Sequence, residues 1–229
     1  MSIYVVGDIH AEFSYLNRFI EGKAPDILLC CGDFGYWENH RNGWYHDKLK
    51  NPKTKVYFCD GNHECHPALV ELVDEYGWKN PIEIQKDLFY CPRGSSIVLP
   101  TGESVLFFGG ADSIDKDWRT PGRDWFPEEN ISQREIDRLD GKYYDIVVSH
   151  TCPSPLVKPM LNCLGLDSSY PKYSDPNSKA LDVVYESAKP SKWYFGHWHV
   201  PYDTVIDNCE FRCLNMVPRS GYWFEHVTN

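Results

Sequence analysis

The order of apolar runs along the chain predicts an α/β fold built around parallel strands. Three observations carry that reading. Short strand-like runs and helix-period segments alternate at the start of the chain as β-α-β-(α)-β-α, an order that pairs strands in parallel through right-handed crossovers. Residues 27–31 are apolar throughout, as expected of a strand covered on both faces. Apolar residues make up 42% of the 229-residue chain, enough for a full core. A single domain over 1–229 is the expectation.

The elements follow in order. Residues 3–6 read as a strand ending at Gly7-Asp8. Phe13, Leu16, Phe19 and Ile20 recur at helical spacing and predict a helix over 12–21, ended by Gly22 and Pro25. The buried run 27–31 ends at Gly32-Asp33, and the polar, aromatic stretch 36–51 reads as a loop with a short helix. Residues 55–59 form the third strand, followed by Gly61-Asn62-His63-Glu64 and a helix over 67–76. The pattern then changes to short strands at 82–85, 88–91, 96–99 and 105–108. A long loop over 109–130 carries Trp118, Arg119, Arg123, Trp125 and Phe126. Ser132 with Glu135 three residues on is a capping-box pattern that opens a helix. Residues 145–148 read as a buried strand ending at Ser149-His150, and 151–176 as a long Pro- and Ser-containing loop. A helix over 177–188 and a strand over 193–195 lead to Gly196-His197-Trp198-His199. Residues 202–206, 210–215 and 222–226 are expected to close the fold as antiparallel strands.

Composition bounds the partners. The net charge is −10, with 33 acidic against 23 basic residues, which argues against binding long nucleic acids. No run of about 18 apolar residues is present, so no membrane span is expected. The first residues read as strand, with no basic leader, and a cytoplasmic protein is expected. Nine scattered cysteines without a Cys-x-x-Cys pair argue against a disulfide framework or structural zinc. Cys30, Cys31 and Cys59 lie in apolar runs and read as core.

The chemistry sits in five stretches: Gly7-Asp8-Ile9-His10, Gly32-Asp33, Gly61-Asn62-His63-Glu64, Ser149-His150 and Gly196-His197-Trp198-His199. Each follows a strand, and strand carboxyl ends are where open α/β sheets bind ligands. In an extended segment residues i and i+2 share a direction, so Asp8 and His10 reach one ion together. His197 and His199 also share a direction. Carboxylates with imidazoles suit divalent Mn, Fe, Zn or Ni. A lone Asp after a strand is usually a cap, and a lone His is usually structural; five such stretches in one chain argue against coincidence. His40, His46, His66 and His226 have no such pattern and read as structural. Trp118, Arg119, Arg123 and Trp125 form either a substrate lip or an aromatic patch on the domain edge.

Gly-Asp-x-His, Gly-Asp, Gly-Asn-His-Glu, a His after a strand and Gly-His-x-His, in this order, resemble the calcineurin-like metallophosphoesterase superfamily. The resemblance runs from Gly7 to His199. It implies two packed mixed β-sheets flanked by helices, and two divalent ions. Asp8, His10 and His199 would hold the first, Asn62, His150 and His197 the second, and Asp33 would bridge them. His63 would be the general acid, and Glu64 would at most orient its neighbours. A bridging hydroxide would attack a phosphate ester in line. With two divalent cations, two carboxylates and that hydroxide, the centre keeps a charge near +1.

Two departures bear on substrate. The phosphoprotein-phosphatase branch continues its second motif as Asp-Arg-Gly, where this chain has Asp33-Phe34-Gly35, and places Arg where this chain has Asp60. Losing two bidentate arginines weakens the hold on a phosphate dianion. A phosphodiesterase acting on a small-molecule or nucleotide-type ester is therefore expected. The alternatives are a phosphomonoesterase or protein phosphatase, a nuclease of the same superfamily acting on short oligonucleotides, and a non-catalytic scaffold with the same fold. The scaffold is disfavoured, because all seven ligand positions and His63 are retained.

Overall fold

The computed structural model of the chain describes residues 1–37, 49–50, 53–166, 175–218 and 221–227. Strands β1 (Ile3–Val6), β2 (Ile27–Cys30) and β3 (Lys55–Phe58) pair in parallel, as the alternating pattern requires. β5 (Leu88–Tyr90) extends the parallel run, and β4 (Ile82–Gln85) lies antiparallel on its outer edge. A second sheet holds β7 (Ser104–Phe108), β8 (Ile146–Ser149), β9 (Lys192–Phe195) and β11 (Cys209–Cys213) in parallel. β6 (Ser96–Val98) and β10 (Tyr202–Ile206) are its antiparallel edges. β12 (Phe224–His226) leaves this group and pairs antiparallel with β1, so the three closing strands do not form one unit.

Strand alternation sorts the core into layers. Val5, Leu29, Val105, Phe107, Ile146 and Val148 point between the two sheets and pack together. Val6, Leu28, Val56 and Phe58 point outward, under α1 (Phe13–Lys23) and α2 (His66–Tyr76). On the opposite outer face Val147, Trp193 and Phe195 meet α4 (Ser154–Cys163) and α5 (Pro176–Ala188). The result is a helix–sheet–sheet–helix sandwich of two six-stranded mixed sheets. The capping box at Ser132 and Glu135 is present but opens only one turn, α3 (Gln133–Ile136).

Three expectations need correction. α4 lies where a loop was expected, because Pro155 and Pro159 hide its period: Leu156, Met160 and Leu161 are buried on one face, and Pro159 is carried inside the helix. Gly22 does not end α1, which runs to Lys23 and closes at Ala24 with φ 46°. The loop over 109–130 contains two single 3₁₀ turns, Lys116–Trp118 and Pro127–Glu129. Most of the stretch 36–51, including His40 and His46, lies outside the described residues, as do residues 167–174. All nine cysteines are free thiols, with Cys30, Cys31 and Cys59 in the core. Among the described residues no helix is long and apolar enough to cross a membrane.

Candidate metal centre

Asp8 follows β1, Asp33 follows β2, and Asn62 and His63 follow β3. His150 follows β8, and His197 and His199 follow β9. The first three strands are neighbours in one sheet and the last two in the other, so sheet stacking brings five loops to one place. The local backbone does the final aiming. His10, Asp33, His197 and His199 have φ of 46°, 43°, 67° and 53°. Side-chain-bearing residues seldom adopt this left-handed region, and those that do cluster at functional sites. Asp8 and His10 therefore converge through a turn, which corrects the expectation of an extended segment; the same holds for His197 and His199. Glycine is required beside them. A Cβ on Gly61 would press on Asp33 Oδ1 and lie 2.8 Å from His150 Nε2. Gly32, at φ 88°, would meet the His150 ring at 2.6 Å.

The expected residues fall into two groups. In the first, His199 Nε2 lies 2.8 Å from Asp8 Oδ2 and 3.1 Å from His10 Nε2. His10 Nε2 is 3.6 Å from Asp33 Oδ2. One ligand atom from each of Asp8, His10, Asp33 and His199 lies within 4.8 Å of the others, a group that could hold a metal ion. In the second, Asn62 Oδ1 is 3.1 Å from both His150 Nε2 and His197 Nδ1. Asp33 Oδ1 is 3.4 Å from His150 Nε2. Asp33 thus turns one oxygen to each group.

The electrostatics favour a cation here. Burial pushes the Asp33 carboxyl up, yet the imidazoles of His150, His63 and His10 outweigh it and hold Asp33 well below the usual carboxylate range. Asp8 is likewise lowered: burial opposes, but the His199 hydrogen bond and the His150 charge prevail. Burial alone would lower His150, but Asp33 and Asp8 raise it to about 10. Burial and the neighbouring His150 push His197 down to about 3. His150 Nδ1 donates to the Cys31 carbonyl at 2.7 Å, so in the neutral ring that a metal ligand needs, Nε2 would carry the lone pair. In the charged ring Nε2 donates towards Asn62 Oδ1 and Asp33 Oδ1; a cation there would take the place of that proton. The donors are oxygen and imidazole nitrogen, which fit divalent first-row ions.

Around these groups lie the supports. His63 donates its backbone N–H to Asp33 Oδ1 at 2.8 Å, and its ring sits edge-on to His10 with centroids 5.0 Å apart. Burial lowers the His63 pKa, against the pull of Asp33. Glu64 is buried and accepts backbone N–H bonds from Phe34 (2.6 Å), Gly35 (3.2 Å) and Gly61 (2.8 Å), clamping two site loops together. Burial and the nearby Asp33 push Glu64 up to about 8 against those donors. Asp60 does not face the centre. It takes a fork from Arg93 (Nε 3.0 Å, Nη2 2.6 Å) and the Tyr90 hydroxyl.

Sequence reasoning missed Ser113, Glu129 and Arg93, which no motif marks, and left Arg119 open. Arg119 reaches in from the 109–130 loop: its Nη2 is 2.8 Å from His63 Nε2, and it pairs with Asp115 at 2.7 Å. Trp125 donates to Glu129 and Phe126 is buried, whereas Trp118 is 84% exposed and Arg123 is exposed. The loop thus packs on the domain edge through Trp125 and Phe126 and brings Arg119 against His63. His66 and His226 lie outside the two groups; His66 is buried near Phe126, and His226 packs on Tyr4. A cavity of about 420 Å³ opens over Asp33, Asn62, His63, His197 and His199.

A family model described as calcineurin-like phosphoesterase matches residues 1–201. The human lariat debranching enzyme is 24% identical over 248 residues, 91% of this chain. The chain spans 44% of that relative's length. Among solved structures, the phosphopantetheinyl hydrolase of Mycobacterium tuberculosis aligns with a TM-score of 0.51 at 16% identity, covering 99% of this chain and 95% of that one. The protein TT1561 of Thermus thermophilus aligns at 0.56 and 10% identity, covering 99% and 98%. Both likenesses are of fold.

Proposed function

Because the chain belongs to the calcineurin-like phosphoesterase family, we propose that it is a phosphoric ester hydrolase working with two divalent ions. Asp8, His10 and His199 would hold one ion, Asn62, His150 and His197 the other, and Asp33 would serve both. Asp33 carries this reading, with Oδ1 toward His150 and Oδ2 toward His10. Ions of the Mn, Fe, Zn or Ni type would supply Lewis acidity and a water-derived nucleophile for a phosphate ester. The neutral ligands leave the centre net positive and attractive to a phosphate ester. His63 stands beside it as the general acid for the departing oxygen. The chain acts as one domain, since each ligand group draws on both sheets. Nine free thiols support a reducing, cytoplasmic setting.

The substrate is a diester, a small molecule or a nucleotide-type ester. Phe34 and Gly35 stand in place of an Arg-Gly pair, and Asp60 is consumed by Arg93. A diester monoanion needs less positive charge than a monoester dianion. Arg119 beside His63 favours a second reading, a monoesterase, because it places one guanidinium next to the proposed acid. Screening the Mn-loaded protein on bis-p-nitrophenyl phosphate, p-nitrophenyl phosphate, cyclic nucleotides and phosphopeptides decides between them. Higher kcat/KM on the diesters is expected; a clear monoester preference selects the second reading. Elemental analysis that finds fewer than two ions at Mn saturation removes the two-ion centre.

A further inference from the structure

Two fully buried polar residues of the 109–130 loop, Ser113 and Glu129, have no part in the proposed chemistry. They form a chain that ends on Asn62. Glu129 Oε1 accepts the Ser113 backbone N–H at 2.7 Å and the Trp125 indole N–H at 2.9 Å. Glu129 Oε2 is 2.7 Å from Ser113 Oγ. An ionised carboxylate can only accept, so the Ser113 hydroxyl points its proton at Glu129. The hydroxyl oxygen is then left to accept, and Asn62 Nδ2 donates to it at 3.1 Å. With Nδ2 held there, Asn62 Oδ1 turns to His150 and His197.

We propose that Glu129, acting through Ser113, sets which end of the Asn62 amide faces the second ion. The two ends of an amide are nearly alike in shape, so packing alone does not choose between them. The polarity of the chain does. A flipped Asn62 would aim N–H donors at the ion and supply no ligand oxygen. Glu129 is a positioning residue, and the inference rests on the reading that Asn62 Oδ1 holds an ion.

Glu129→Gln tests it without a change of shape. The Oε1 place receives two donors, so the glutamine oxygen goes there and its NH₂ goes to Ser113 Oγ. The serine proton is released towards Asn62, which favours the flipped amide. In the metal-free protein, the Asn62 side-chain NH₂ signals are expected to be shifted and to exchange faster in Glu129→Gln than in wild type. In a calorimetric Mn titration, the second ion is expected to bind roughly 10–100-fold more weakly and the first to be unchanged. Ser113→Ala should behave alike, and Ser113→Thr, which keeps the hydroxyl, should restore the second ion. In an Asn62→Ala background, Glu129→Gln should add no further loss. Equal weakening of both ions, or a loss that persists in that background, would overturn the proposal. If wild type takes up a single ion, the two-ion reading fails separately. The NMR arm still decides in that case: Asn62 signals unchanged by Glu129→Gln overturn the inference.

Discussion

Asp33 sits at φ 43° with one oxygen toward each ligand group, a conformation that the surrounding loops enforce. Backbone N–H groups of Ile9 and His10 donate to its carbonyl at 3.1 and 2.6 Å. Asp33→Asn should therefore lower affinity for both ions together, whereas Asp8→Asn should weaken mainly the ion near His10 and His199. A calorimetric Mn titration of the two variants checks this, and a one-site effect of Asp33→Asn counts against the bridge. His63 should matter according to the leaving group. General acid help is typically worth roughly 10²–10⁴-fold. His63→Gln should lose most of that on alkyl phosphate esters and much less on nitrophenyl esters, whose weakly basic phenolate leaves unaided. Rates across esters of graded leaving-group pKa, with metal content checked in each, make the comparison. A uniform loss would mean that His63 shapes the site and donates no proton.

At the scale of elements, Arg93 is the knot. It forks onto Asp60 after β3, bonds the carbonyls of Glu128, Glu129 and Asn130, and pairs with Glu135 of α3 at 3.0 Å. Burial pushes Asp60 up, but the guanidinium beside it holds it below the usual carboxylate range. Arg93→Ala would leave the buried Asp60 carboxylate with the Tyr90 hydroxyl but no counter-charge, and removing one partner of such a pair costs about 3–5 kcal/mol. Urea unfolding of the variant should show a loss of that order, and a loss within noise would deny the knot. Nothing in the sequence marks Arg93, because its partners lie more than 30 positions away. The five glycine- and serine-punctuated motifs were legible because their chemistry is local to the ends of strands. α4 was not, since Pro155 and Pro159 read as breakers although the apolar face at Leu156, Met160 and Leu161 anchors the helix regardless. Nor was the buried Ser113–Glu129 chain, where charge that looks exposed by composition turns inward.

For the whole molecule, acid should weaken the fold through His66. Burial, with Arg93 nearby, pushes this imidazole down to about 4 despite Asp60. The unfolded chain takes up a proton near the ordinary 6.5, while the folded chain does so only near 4. The unfolded state thus binds more protons between those values, and stability falls as pH drops through that window. At most about 3 kcal/mol is involved, at 1.36 kcal/mol per pKa unit. Urea midpoints from pH 7 to pH 4.5 should fall less steeply in His66→Gln than in wild type, and parallel curves would remove His66 from the account.

The ligand groups have one more property: neither belongs to a single sheet. Asp8, His10 and Asp33 come from one sheet and His199 from the other; Asp33 and Asn62 come from one, and His150 and His197 from the other. An ion in either place would work as a rivet through the sandwich, so that prising the layers apart means releasing it. Occupancy and melting then become one equilibrium. A ligand that binds only the folded state adds about 2.7 kcal/mol when present at a hundredfold excess over its Kd. Tm should climb with the logarithm of free Mn and drop on adding a chelator, and His150→Ala, which strips one sheet's share of a rivet, should flatten the climb. A melting curve indifferent to Mn and chelator alike would mean that the sheets hold together without any rivet.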